Sequence, residues 1–285
     1  QFMKFSLDGN KQGGYVPVSA VSLAYGTLYM VSEKNGNEKK LVLCDHQTND
    51  GKPVFLNIGN VEPVALFGGR SNSAAICSNG EIIFIKSSEI SEKPESCINA
   101  IFLPDEEKAS SVACCEDLIV VLSMNGRVFM SSLDCSSEID FSEVDELKGK
   151  ECICVSGTSE HCFVVTKEGR VFVRGSNERG QIGLGENVEK VSSFTEIPFL
   201  SEYEIRAAYA GCNHSLFETK DGKLLSCGAN YYGQLLLRCG PGDDVYLPTE
   251  TTITSGAEFC IAGWGLTAVF IGSPPPNTPN MRIKL

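Results

Sequence analysis

The sequence predicts an all-β fold, a β-propeller of six blades with five or seven as the alternatives. Three observations predict it. One hairpin pattern, an apolar run, a turn closing on glycine and a second apolar run, recurs on Gly36, Gly80, Gly126, Gly169 and Gly222 and, shortened, on Gly272. These glycines lie 44, 46, 43, 53 and 50 residues apart, close to the ~40 to 50 residues of a propeller blade. The runs are also continuously apolar, as in "IVVL" and "FVV". Both faces of such a strand must be covered, as they are when sheets stack radially.

Each unit reads the same way in turn. The first is "PVSAVSLAYG" followed by "TLYMVSEKNGNEKKLVL", whose turn is longer than the rest. The second is "VEPVALFGG" with "SAAICSNGEIIFI", and the third "SSVACC" with "LIVVLSMNGRVFM". The fourth is "CICVSG" with "CFVVTKEGRVFV", the fifth "IRAAYAG" with "SLFETKDGKLLSC", and the sixth "FCIAG" with "LTAVFIG". Asn-Gly, Glu-Gly and Asp-Gly close the turns, and three strands per unit are visible. Only "FSEVDELKG" could make helix, one or two turns of it. The sixth hairpin is incomplete, and the chain passes into the extended linker "SPPPNTPN" and then "MRIKL". The propeller is therefore placed at 1–272. Residues 273–285 form a proline-rich tail that either completes the last blade or leads to a further domain. "FMKFSLDGNKQGG" at the start has the missing half-hairpin's character, so an N-terminal strand is expected to close the ring within blade six.

Composition limits the function. A chain of 285 residues at 42% hydrophobic buries a sizeable core. No apolar run approaches the ~20 residues of a membrane span, and "QFMKFSLDGN" lacks a signal peptide's apolar stretch, so a cytoplasmic location is expected, with the nucleus as the alternative. Thirteen cysteines show no CxxC pairing and read as reduced core residues. The formal charge of −12 and the lack of clustered Lys and Arg argue against direct nucleic-acid binding. "GSNERGQIGLG" is no phosphate loop, since it lacks G-x-x-x-x-G-K-[ST] and opens no helix. Neither G-x-S-x-G nor H-E-x-x-H occurs. His161 and His214 each precede their turn glycine by eight residues, which makes them repeat-equivalent, hydrogen-bonded residues; no third ligand type recurs with them. No metal, no cofactor and no covalent catalysis are expected.

Residues 161–185, "HCFVVTKEGRVFVRGSNERGQIGLG", resemble the repeat of the RCC1-like propeller family through His161, Thr166, Gly169, Val171, Phe172, Gly175, Asn177, Gly180, Gln181, Gly183 and Gly185. Residues 210–237 match nearly as well through Gly211, His214, Thr219, Gly222, Gly228, Asn230, Gly233 and Gln234. The pattern's tryptophan is Arg174 in one copy and Cys227 in the other, and the copies on Gly36, Gly80 and Gly126 keep only the hairpin. The resemblance implies that the G-Q-x-G residues, with His161, His214, Gln181 and Gln234, are structural. It further implies a non-enzymatic protein-binding platform, an adaptor or regulatory module. The alternative is a guanine nucleotide exchange factor for a Ran-like small GTPase, which needs no covalent chemistry. The partner-binding candidates are the acidic stretch Glu138, Asp140, Glu143, Asp145 and Glu146, and the long first turn with Asn35, Lys39 and Lys40. The partner expected is a protein, a small GTPase or another basic-surfaced one, and neither nucleic acid nor membrane.

Overall fold

The computed structural model describes residues 18–24, 27–34, 38–45, 53–56, 58, 61–69, 72–86, 98–133, 139–158, 160–238 and 240–271. They form antiparallel sheets whose strands follow chain order. Sheet one holds β1 (Val18–Ala24), β2 (Thr27–Lys34), β3 (Glu38–Asp45) and β4 (Pro53–Leu56). Sheet two holds β5 (Pro63–Gly68), β6 (Asn72–Cys77), β7 (Ile82–Lys86) and β8 (Ile98–Ile101). Sheet three holds β9 (Ala109–Cys114), β10 (Leu118–Ser123), β11 (Val128–Ser132) and β12 (Ser142–Glu143). Sheet four holds β13 (Cys152–Gly157), β14 (His161–Thr166), β15 (Val171–Ser176) and β16 (Lys190–Glu196). Sheet five holds β17 (Ile205–Ala210), β18 (His214–Thr219), β19 (Leu224–Gly228) and β20 (Val245–Glu250). A sixth sheet contains two described strands, β21 (Ala257–Ala262) and β22 (Thr267–Ile271).

The complete unit thus has four strands where the sequence showed three. The outer strand escaped notice because one of its faces is solvated; in β16 most positions are exposed or half-buried. "FSEVDELKG" supplies β12 and a single 3-10 turn, Asp145–Leu147. In contrast β6, β10, β14 and β18 are buried at every position, as the continuous apolar runs require. Neighbouring sheets pack in chain order, and their facing residues make the core. Phe163 of sheet four meets Phe217 of sheet five edge-on at 5.2 Å, and burying each ring contributes about 2–3 kcal/mol.

Two local features repeat. Gly80, Gly126, Gly169 and Gly222 have φ of 89°, 80°, 83° and 81°, the left-handed region that favours glycine. Each donates its N–H three residues back, to Cys77, Ser123, Thr166 and Thr219 at 2.9–3.1 Å. The expected equivalence of these four turns holds, while Gly36 and Gly272 lie outside the described residues. The first strand of every sheet also carries a one-residue bulge, at positions 19, 64, 110, 153, 206 and 258. A bulged residue is turned out of the ladder, and this accounts for the exposure of Val64 and Ile153. No residue type announces the bulge, so it was invisible in the sequence.

Antiparallel order sorts the connections onto two rims. The glycine turns and the segments leading into each first strand share one, the hairpin rim. The turns between first and second strands and the loops after third strands share the other, the loop rim.

Candidate functional site on the two rims

The Gly-rich segments of the loop rim are closed on themselves. Asn177 donates to the carbonyls of Gly185 (2.9 Å) and Val188 (2.6 Å) and accepts the N–H of Ile182 at 3.1 Å. Asn230 repeats this with Gly240 and Leu235, and Gln181 and Gln234 accept the N–H of Arg179 and Tyr232. The side-chain amides thus tie each loop to its own backbone, taking two carbonyls and two N–H groups in the loop of Asn177.

The histidines stitch sheets together. Ser215 Oγ donates to the Gln181 carbonyl at 2.7 Å, so its lone pairs take the Nε2–H of His161 at 2.9 Å. One repeat on, Thr267 donates to the Gln234 carbonyl at 2.7 Å and accepts from His214 Nε2 at 3.0 Å. Both Nδ1 atoms are buried without a partner. Burial pushes His161 down to about 3, with His214 adding to the effect, and His214 down to about 4; both rings are neutral near pH 7. Among the described residues no three His, Cys, Asp or Glu side chains converge to hold a metal.

The acidic stretch does not form one patch. Glu138 lies outside the described residues, and Asp140 is exposed at the start of the outer strand. Glu143 is drawn onto Arg127, whose guanidinium reaches Glu143 at 2.7 Å, Asp105 at 3.0 Å and Glu107 at 3.3 Å. Arg127 also stands 4.9 Å over the Phe129 ring, and it holds the Glu143 carboxyl below its ordinary range. Asp145 pairs with Lys148, while Glu146 is exposed. The second candidate differs from expectation as well. Lys39 and Lys40 are in β3, opposite Glu33 and Ser32, because the extra residues of the first unit lengthen β2 and β3 to eight each and leave only 35–37 between them. Asn35 is outside the described residues.

On the hairpin rim most of the described cations are taken, although Lys108 and Lys150 are exposed and make no ion pair among the described residues. Lys167 pairs with Glu151, Arg170 with Glu196, Lys220 with Glu204 and Lys223 with Asp221. Arg206 reaches Glu218, a carboxylate only 1% exposed, and the carbonyls of Ala257 and Glu258 in sheet six. Tyr209 donates to the same carboxylate at 2.7 Å. Glu146 and Glu202, in contrast, are exposed carboxylates with no ion pair among the described residues.

Two models described as the Regulator of chromosome condensation (RCC1) repeat match residues 168–217 and 152–181, the segments that hold these turns, histidines and amide locks. Residues 152–217 carry RCC1 repeats. It is 40% identical over 87 residues to the bovine secretion-regulating guanine nucleotide exchange factor, covering 30% of this chain and 18% of that protein. It is 27% identical over 230 residues to the ultraviolet-B receptor UVR8 of Arabidopsis thaliana, covering 75% and 49%. It is 29% identical over 151 residues to the human X-linked retinitis pigmentosa GTPase regulator, covering 50% and 15%. The chain spans less than half the length of each of these relatives. Among solved structures, yeast RCC1 (Prp20) bound to Kap60 superposes with a TM-score of 0.70 at 16% identity, over 90% of this chain and 68% of that one. Prp20p of Saccharomyces cerevisiae gives 0.67 at 13%, over 88% and 67%. These likenesses are of fold.

Two groups on the rims were missed in the sequence. The Arg127 hub joins residues 16 to 22 positions apart, a pairing that no local pattern shows. On the loop rim Tyr231, Tyr232 and Trp264 are 66%, 72% and 75% exposed; their signal was "NYYGQ" standing where the neighbouring repeat has "NERGQ".

Proposed function

We propose that this RCC1-repeat array is a six-bladed ring that acts by binding protein without covalent chemistry, and that its hairpin rim receives a basic-surfaced partner. The observation that carries the reading is the rim's charge state. Most of its described cations are committed to carboxylates of the same chain. The exposed acids without an ion pair among the described residues, such as Glu106, Glu146, Glu168 and Glu202, outnumber the lysines without one, Lys108 and Lys150, so these acids set the field an approaching protein meets. Prp20p, whose structure was described with its binding to Gsp1p and histones, is a relative in fold for which a basic partner is named. Core histones therefore serve as the probe. Glu146→Gln with Glu202→Gln should slow histone association about threefold at low salt and flatten its ionic-strength dependence, with the melting temperature nearly unchanged. Unchanged association would make the rim ordinary solvated surface. Glu143 is left intact because its loss would free Arg127.

Exchange on a small GTPase is the second reading, favoured by the 40% identity to an exchange factor over 87 residues. Release of labelled nucleotide from a panel of small GTPases, Ran-like ones included, decides it: acceleration by the chain assigns exchange, and none leaves the binding role alone.

A further inference from the structure

The neighbouring repeats supply an internal control for the exposed aromatics. The locks of Asn177 with Gln181 and of Asn230 with Gln234 make the same bonds 53 residues apart. The two residues enclosed are Glu178-Arg179 in one loop and Tyr231-Tyr232 in the other. A fold that builds this loop equally well on Glu-Arg has no need of two tyrosines, and at 66% and 72% exposure they add nothing to the core. The Tyr232 ring lies against Gly265, where a Cβ would come within 2.9 Å of it. Next to that glycine is Trp264, the only tryptophan of the chain and 75% exposed. Leu266 does not belong with them. It holds the register of His214, which faces the following sheet, so its exposure belongs to the sixth sheet's uncovered side.

Tyr, Trp and Arg are the residues that dominate binding hot spots, and the surface already displays one contact of its own kind. The Arg179 guanidinium stands 5.0 Å over the Tyr231 ring and is held from the side by Asp244 at 2.8 and 3.0 Å. Tyr232 and Trp264 offer two more ring faces, and Asp243, exposed beside Asp244, offers a second carboxylate. The two loops, 177–189 and 229–244, hold five acidic side chains and two basic ones. We propose that Tyr231, Tyr232 and Trp264 form a docking surface for an arginine-bearing segment of a protein partner, its guanidinium stacking on Tyr232 and Trp264 with Asp243 as counter-charge. This surface is on the loop rim, apart from the acidic hairpin rim.

Trp264 reports on the surface directly. Titration of the whole chain with a Gly-Arg repeat peptide should shift or quench its emission. A Gly-citrulline peptide, equal in shape and uncharged, should bind at least about tenfold more weakly, the size of a desolvated cation–π contact. Y231E/Y232R installs the neighbouring repeat's own residues and should keep the melting temperature while weakening the Gly-Arg peptide by the same factor. If that variant failed to fold, W264S and D243N, followed by calorimetry, would carry the same expectation. E146Q/E202Q should leave the titration unchanged, which separates this surface from the hairpin rim. The proposal is overturned by an unresponsive Trp264, by equal binding of the citrulline peptide, or by indifference to all these loop-rim variants.

Discussion

At the residue scale the buried polar groups decide stability. His161 and His214 have folded pKa values of about 3 and about 4, well under the ~6.5 of an unfolded histidine. Between those values the unfolded chain binds more protons, so stability is full above pH ~6.5 and falls as pH drops below it, by up to about 1.4 kcal/mol per unit for each ring. Chemical denaturation from pH 7 to pH 5 should show this slope, and His161→Gln should reduce it by one ring's share; an unchanged slope would place the titration elsewhere. Glu218 is a separate case. Glu218→Ala strips Arg206 and Tyr209 of their shared partner and should cost about 2–3 kcal/mol, discounted from a fully buried pair because Arg206 is part-exposed. Equilibrium unfolding measures it, and a loss under about 0.5 kcal/mol would mean that water replaces the carboxylate. Glu218 was legible as a lone acid within the apolar run "SLFETK", but its meaning was not, because Arg206 approaches from a bulge and reaches on to sheet six.

At the element scale the amide locks matter most. Asn177 and Asn230 each satisfy several backbone groups that would otherwise be buried without partners. Asn177→Ala should therefore cost about 2 kcal/mol or more and raise amide exchange across residues 177–188 while sparing β14, a pattern that native-state hydrogen exchange resolves. Uniform exchange across sheet four would contradict a local lock. The elements legible in the sequence were those whose physics is local: β-branched runs buried on both faces, and glycines at left-handed turns. The outer strands were not; in β12, β16 and β20 most positions are exposed or half-buried, and a half-solvated edge carries no apolar signature. The acidic stretch was read correctly as charge and incompletely as a site. Whether a carboxylate is free depends on cations such as Arg127, which the fold brings up from another turn.

At the scale of the whole molecule the open question is the last sheet. Five sheets have four strands, and the same bulge marks the first strand of the sixth, yet β22 has only β21 beside it among the described residues. Its positions are half-buried or exposed, whereas those of β18, its counterpart, are all buried. Leu266, Phe270 and Ile271 are 69%, 47% and 63% exposed. Covering side chains of this size contributes about 1.5–3 kcal/mol each, a sum comparable to the 5–15 kcal/mol that holds a typical domain together. An unpaired β22 edge would also present a row of backbone donors and acceptors to other chains. The closure expected from the sequence concerns residues 2–6, "FMKFS", which lie outside the described residues; it would put them on that edge as a third strand, followed by "DGNKQGG" in the place that "GSNERGQ" has at the end of β15. Deleting residues 1–8 should then lower the melting temperature sharply or yield insoluble protein, and deleting 281–285 should leave it near that of the full chain. Loss of stability only in the second deletion would assign the edge to "MRIKL" instead. A fully stable protein without residues 1–8 would refute N-terminal closure, and the ring would have to be completed by some other segment.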